Sequence, residues 1–215
     1  MKFKLLSAGA AQAMVARLAG AQGVEIEASF GAVGAMLEKY LAAGACDIVI
    51  LARKQMDELA AQGRVDSATL VDLGAVPTSI AVCEREPSPD ISDADALAVA
   101  LLAADAIYFP DPAKATAGIH FRHVLERLGI LDRVRARLRN FPNGAATMRA
   151  MAEAQGQPIG CTQATEIRAT PGVRVVGPLP RGLDLVTVYA GAVDVRAENG
   201  DAARRFLASL AGQLS

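Results

Sequence analysis

The sequence predicts an α/β fold, and three observations carry that prediction. Short apolar runs of strand length alternate with longer amphipathic stretches from one end of the chain to the other. One of those runs, DIVILA at 47–52, is continuously apolar, as a strand covered on both faces must be. Of the 215 residues, 52% are hydrophobic against 21% charged, enough to bury a substantial core.

Taken in order, KFKLL is the first strand, and AAQAMVARLAGAQ is a helix with Met14, Leu18 and Ala21 near one face, stopped by Gly23. VEIEASF alternates as a strand, VGAMLEKYLAAG is the next helix with Gly44 as its stop, DIVILA follows, and KQMDELAAQG is a third helix. Three strand–helix units in succession imply a parallel sheet with right-handed crossovers. The rhythm then changes. LGAVPTSIAVCERE is extended, EPSPDIS is a Pro/Ser-rich connection, and SDADALAVALLAA is a helix opened by Ser92 or Asp93 as its N-cap. AIYFPD is a strand, ATAGIHFRHVLERLGI a helix, NGAATMRAMAEAQG another. PIGCTQ, VRVVGPLP and LDLVTVYAGAV are strands, and NGDAARRFLASLAGQL closes the chain as a helix.

The net charge of −1 gives no electrostatic footprint for nucleic acid. Basic residues gather in ILDRVRARLRN, which reads as one solvated helix face. Cys46, Cys83 and Cys161 are odd in number, far apart and in apolar contexts, so they read as small buried hydrophobes rather than a metal site or disulfide framework. No run approaches the roughly 18–20 apolar residues that cross a bilayer, so no membrane insertion is expected.

The first twenty residues, MKFKLLSAGAAQAMVARLAG, admit two readings. Lysines, an apolar patch and Ala-Gln-Ala resemble a secretory signal, whereas Phe3 to Leu6 also suits a buried strand that enters a helix through a glycine-containing turn. The apolar stretch is short and diluted by Ser7 and Gly9, which weakens the signal reading.

The order and spacing of LLSAGAAQAM, SFGAVGAMLEKYLAAGACDIVILA, FPDPAKATAGIHFRHVLERLGI, PIGCTQATEI and VTVYAGAVDVRAENGDAARRFLASL resemble the class II periplasmic solute-binding proteins, nearest the molybdate-binding component of ABC transporters. The resemblance implies a two-lobed fold with mostly parallel sheets and a ligand cleft between the lobes: lobe one about 1–80 plus 187–215, lobe two about 81–186. It also assigns KFKLL to the first strand of lobe one. The expected location is therefore cytoplasmic as the sequence stands, or periplasmic if an export signal has been trimmed. The expected partners are a small anionic ligand and, for an exported protein, an ABC transporter permease, with no nucleic acid; no cofactor or metal is expected.

The resemblance places ligand contacts at Ser7, Ala8 and Gly9, at Ala32 and Val33, at Ala52 and Arg53, at Thr116, Ala117 and Gly118, and at Gln163. Helix starts offer unpaired N–H groups that suit anions without any basic side chain; ordinary βα turns also favour small residues. Molybdate binders typically carry serines where this chain has Gly9, Ala32 and Val33, and a tyrosine where it has Gln163, so the ligand implied is a carboxylate rather than molybdate. Arg53 can hold a carboxylate with two parallel hydrogen bonds, or can simply be solvated beside Lys54. Some relatives are isomerases that shift a double bond in aconitate-like tricarboxylates; for such an enzyme His120, Lys54 or Glu166 is the candidate base. His120 and His123, three apart with no nearby carboxylate or thiol, are a weak metal signal. Arg122, Asp111 and Tyr108 lie near the same expected site.

Overall fold

The computed structural model describes residues 2–43 and 46–214. Gly44, read above as a helix stop, lies outside them, as does Met1. In chain order the elements are β1 (Lys2–Ala8), a 3-10 turn (Gly9–Ala11), α1 (Gln12–Gln22), β2 (Glu25–Gly31), α2 (Val33–Ala43), β3 (Ile48–Ala52) and α3 (Arg53–Ala61). Next come β4 (Val71–Cys83), α4 (Ala94–Ala103), β5 (Ile107–Pro110), α5 (Thr116–Arg127), α6 (Leu131–Val134) and β6 (Leu138–Phe141). The chain ends through α7 (Gly144–Ala152), β7 (Ile159–Gln163), α8 (Ala164–Arg168), β8 (Val173–Pro178), β9 (Val186–Val193) and α9 (Gly200–Leu210). Two compact units result: Met1–Val76 with Thr187–Ser215, and Pro77–Val186. β4 carries the chain from the first into the second, and β9 returns it.

In the first unit β1 runs between β2 and β3, parallel to both, and β9 is antiparallel to β3. All five residues of β3 are buried, as its continuous apolar sequence requires. Phe3 stacks on Phe206 of α9, ring centroids 6.0 Å apart. Gly23 ends α1 in the left-handed conformation at φ 63°, which a glycine reaches without a Cβ penalty. Two buried carboxylates fasten the base of this sheet. Asp47 accepts the N–H groups of Lys4 at 2.9 Å and Asn199 at 3.0 Å. Asp194 takes a two-pronged grip from Arg196, at 3.0 and 2.8 Å. Burial pushes the neighbouring Tyr40 phenol and Cys46 thiol up to about 12 each, with Asp194 adding to both.

In the second unit β7 pairs antiparallel with β4 and parallel with β5, β6 extends the sheet parallel to β5, and β8 pairs antiparallel with β4. Both faces are covered. Ile80, Leu97, Leu101, Phe109, Phe121 and Cys161 lie in one cluster, and Cys83, Met148, Met151 and Ile167 in another.

One expectation is corrected here. ILDRVRARLRN is not a single solvated helix face: it holds the short α6, a 3-10 turn at Arg135–Arg137 and the start of β6. Arg137 turns back to donate to the carbonyls of Leu102, at 2.9 Å, and Ala104 near the end of α4. A cation there satisfies carbonyls that a helix end leaves open.

Candidate functional site

Parallel strands in an α/β unit deliver the chain to their C-terminal edge, where each helix begins; in open sheets that edge is where ligands bind. In the first unit the register sets Ala8 opposite Gly31 and Ser7 opposite Ile50, so the ends of β2, β1 and β3 align. Ser7, Ala8 and Gly9 therefore share one edge with Ala32 and Val33, which lead into α2, and with Ala52, Arg53 and Lys54, which open α3. Ser7 is buried, and its hydroxyl donates to the Ala8 carbonyl at 2.9 Å. Ala32 and Val33 are buried and bring no hydroxyl.

Arg53 is at this edge with its guanidinium shared between two carboxylates: Nε donates to Asp57 at 2.8 Å and Nη1 to Asp72 at 2.8 Å. These bonds hold its pKa above the ordinary arginine value. The two bonds use two of the guanidinium's five N–H donors. Lys54 is exposed in the first turn of α3.

In the second unit the ends of β7, β5 and β6 lie side by side and lead into α8, α5 and α7. Thr116, Ala117 and Gly118 form the first turn of α5. A Cβ on Gly118 would lie 2.3 Å from the carbonyl oxygens of both Pro110 and Asp111, so glycine is demanded there by the close seat of α5 on β5. His120, on the next turn, brings Nε2 to 2.7 Å from the Leu183 carbonyl. With Nε2 donating that bond, Nδ1 is the nitrogen left with a lone pair. His123 is exposed, Arg122 pairs with Glu126 at 3.1 Å, Tyr108 stacks on Phe141, and Asp111 accepts backbone N–H groups of its own turn. Among the described residues no cluster of His, Cys, Asp or Glu has the geometry of a metal site.

Several helix starts in both units carry no side-chain cap, α6 and α9 included. The 3-10 turn before α1, α3, α5 and α8 are preceded by Ala8, Ala52, Ala115 and Gln163, none with a side-chain capping bond. By contrast, Asp93 caps α4 through the Ala96 N–H at 2.8 Å, and Asn143 caps α7 through the Ala146 N–H at 2.9 Å.

α7 is also closed by Glu166. This buried carboxylate accepts the Thr162 hydroxyl at 2.6 Å and the N–H groups of Gln163, Ala145 and Gly144. Burial lifts its pKa above the ordinary carboxylate value, and those donors pull it down without overcoming that lift. Sequence reading treated Glu166 only as a candidate base and gave no weight to the α7 start. The Asn143-Gly144 pair was a visible N-cap signal, but its carboxylate lies across 22 residues of sequence and no local pattern announces it.

A family profile described as bacterial extracellular solute-binding protein matches residues 5–213. The chain belongs to that family. Solute-binding proteins of known structure share the fold. The periplasmic molybdate-binding protein of Azotobacter vinelandii superimposes with a TM-score of 0.74 at 16% identity, covering 97% of this chain and 92% of that one. The substrate-binding domain of a putative molybdenum ABC transporter from Clostridium difficile gives 0.67 at 18% identity, covering 97% and 91%. A curated relative from Pseudomonas sp., an aconitate isomerase, is 31% identical over 169 residues, covering 78% of this chain. The match spans 62% of that relative's length. Among the described residues of this solute-binding protein no helix is long and apolar enough to cross a bilayer.

Proposed function

We propose that this solute-binding protein takes a small organic anion, a carboxylate rather than molybdate, with donors from helix starts at its C-terminal strand edges. One observation carries the reading: at the C-terminal strand edges the 3-10 turn before α1, α3, α5 and α8 begin without a side-chain cap. Open N–H groups favour anions in general. The hydroxyls that a molybdate binder carries at the positions of Gly9, Ala32 and Val33 are missing, and several hydrogen bonds of about 1.5–3 kcal/mol each to a charged ligand go with them.

A second reading has its own support, the 31% identity to an aconitate isomerase. Shifting a double bond in such an acid requires a base to take a proton from one carbon, donors to steady the enolate-like charge, and return of a proton at another carbon. His120 suits the base, since its Nε2 bond to Leu183 fixes the ring and leaves Nδ1 to accept. Lys54 is exposed and serves as the alternative. Glu166 is already committed to the start of α7, which favours a structural role for it.

One experiment separates the readings. Purified protein is mixed with cis-aconitate and the double bond is followed by NMR, alongside thermal-shift titrations with cis-aconitate, trans-aconitate, citrate, molybdate and sulfate. Turnover supports the isomerase. A saturable rise in Tm with a carboxylate and no turnover supports the binder. A response to molybdate or sulfate alone refutes the carboxylate reading.

A further inference from the structure

Most buried threonine hydroxyls in the second unit are spoken for. Thr147 donates to the Asn143 carbonyl at 2.8 Å, Thr162 to Glu166 at 2.6 Å, and Thr170 to the Glu166 carbonyl at 2.8 Å. Two are not: Thr78 Oγ1 and Thr165 Oγ1 are buried with no hydrogen-bond partner among the described residues. Thr78 is 0% exposed and Thr165 9%. Buried polar groups are paired in the great majority of cases, so two orphans together require a reason.

Their placement supplies one. The antiparallel register of β4 on β7 sets Thr78 directly opposite Gln163. Side chains two apart along a strand share a face, so Thr78 stands with Ile80, and Gln163 with Cys161. Ile80 and Cys161 belong to one apolar cluster, which puts Thr78 and Gln163 side by side where that face reaches the C-terminal end of β7. Thr165 follows two residues later, in the first turn of α8. Both orphan hydroxyls thus flank Gln163, which the family resemblance places at the ligand.

We propose that the hydroxyls of Thr78 and Thr165 donate to one carboxylate of the bound organic acid. The inference rests on the anion-binding reading above and narrows it. Two hydroxyl donors match the two oxygens of a planar carboxylate, whereas a tetrahedral oxyanion presents four oxygens. A bond from each hydroxyl to a ligand oxygen would offset the cost of burying it. Because valine has the same shape as threonine, the hydroxyl can be removed with little change in packing.

The test uses T78V, T165V and the double variant, with T78S and T165S as hydroxyl-retaining controls. Melting temperature without ligand is measured together with calorimetric titrations of cis-aconitate, molybdate and sulfate. The expected result is an unchanged or raised ligand-free Tm in both valine variants, a Kd for cis-aconitate weakened at least tenfold in each, and near wild-type affinity in the serine controls. Wild-type affinity in the valine variants overturns the threonine assignment and leaves the anion reading standing. A ligand-free Tm lowered by several degrees with Kd unchanged also overturns it, by showing that the hydroxyls serve the fold. A wild-type protein that binds none of the probes overturns both readings. Loss of molybdate or sulfate binding instead of cis-aconitate binding overturns the carboxylate assignment.

Discussion

Replacing Gly144 by alanine offers a direct measure of the Glu166 arrangement. In the first turn of a helix this substitution ordinarily gains up to about 1 kcal/mol, because alanine has less backbone entropy to lose. Here a Cβ would fall 1.9 Å from Glu166 Oε2 and 2.3 Å from both Glu166 Cδ and Thr162 Oγ1. None of these is compatible with contact, so the carboxylate must withdraw. In withdrawing it gives up the N–H groups of Gly144 and Ala145 while remaining buried. Two such bonds to a charge-bearing group, at about 1.5–3 kcal/mol each, bring the expected cost to about 3 kcal/mol, opposite in sign to the ordinary effect.

Urea denaturation followed by far-UV circular dichroism reads this out. At a slope of about 2 kcal/mol per molar urea, a loss of about 3 kcal/mol lowers the midpoint by about 1.5 M. A midpoint that is unchanged or raised refutes the reasoning. So does an equal cost of G144A in wild-type and E166A backgrounds, since the clash is assigned to that side chain; the expected coupling is at least about 1.5 kcal/mol.

Three further outcomes follow from the same geometry. Glu166 has a folded pKa raised by burial, so its contribution to stability is fully present below the unfolded carboxyl value and is lost as pH rises through the folded one; E166Q should flatten that decline in urea midpoints taken from pH 4 to 8, and parallel profiles would rule it out. G118A should cost more than about 2 kcal/mol, because its neighbours are backbone oxygens at 2.3 Å, whereas G31A meets only the end of Met36 at 2.7 Å and should stay within about 1 kcal/mol; equal losses by thermal denaturation would contradict the distinction. R53A should leave the Kd for cis-aconitate within about threefold of wild type, because Asp57 and Asp72 already balance its guanidinium, and a tenfold weakening in calorimetric titration would put Arg53 among the ligand contacts.

The fold was legible where burial alone sets the pattern. DIVILA could be read as a strand because both its faces are covered, and the first three strand–helix units follow from turn residues and apolar spacing. β6 was not legible. Its sequence LRNF carries two polar residues that face solvent, and the arginines before it mimic the spacing of a helix face while one of them, Arg137, is spent on the carbonyls of α4. At the strand edges the residue types could be read and their partners could not. Gly118 and Gly144 look alike as small residues at helix starts, yet one clears backbone oxygens of β5 and its loop, and the other clears a carboxylate 22 residues away. Arg53 likewise shows its charge in the sequence, but Asp72, which shares it, lies 19 residues on.

These contacts also decide what kind of attraction an anion would meet. The α7 start of the second unit already donates to an internal carboxyl group, so it has fewer open N–H groups for a second anion. The cation at the edge of the first unit is balanced by Asp57 and Asp72 before any ligand arrives. What remains is neutral: backbone N–H groups and the two threonine hydroxyls without a partner among the described residues. Binding through oriented neutral donors gains little from long-range charge and loses little to screening, so affinity for a carboxylate should vary far less with salt than it would at a lysine- or arginine-lined site. The same logic favours planar over tetrahedral ligands, because selection then rests on where a few fixed donors point and not on how much charge the ligand brings. A Kd for cis-aconitate that weakens tenfold between 20 and 500 mM salt would show that a cation, most directly Arg53, does the holding after all.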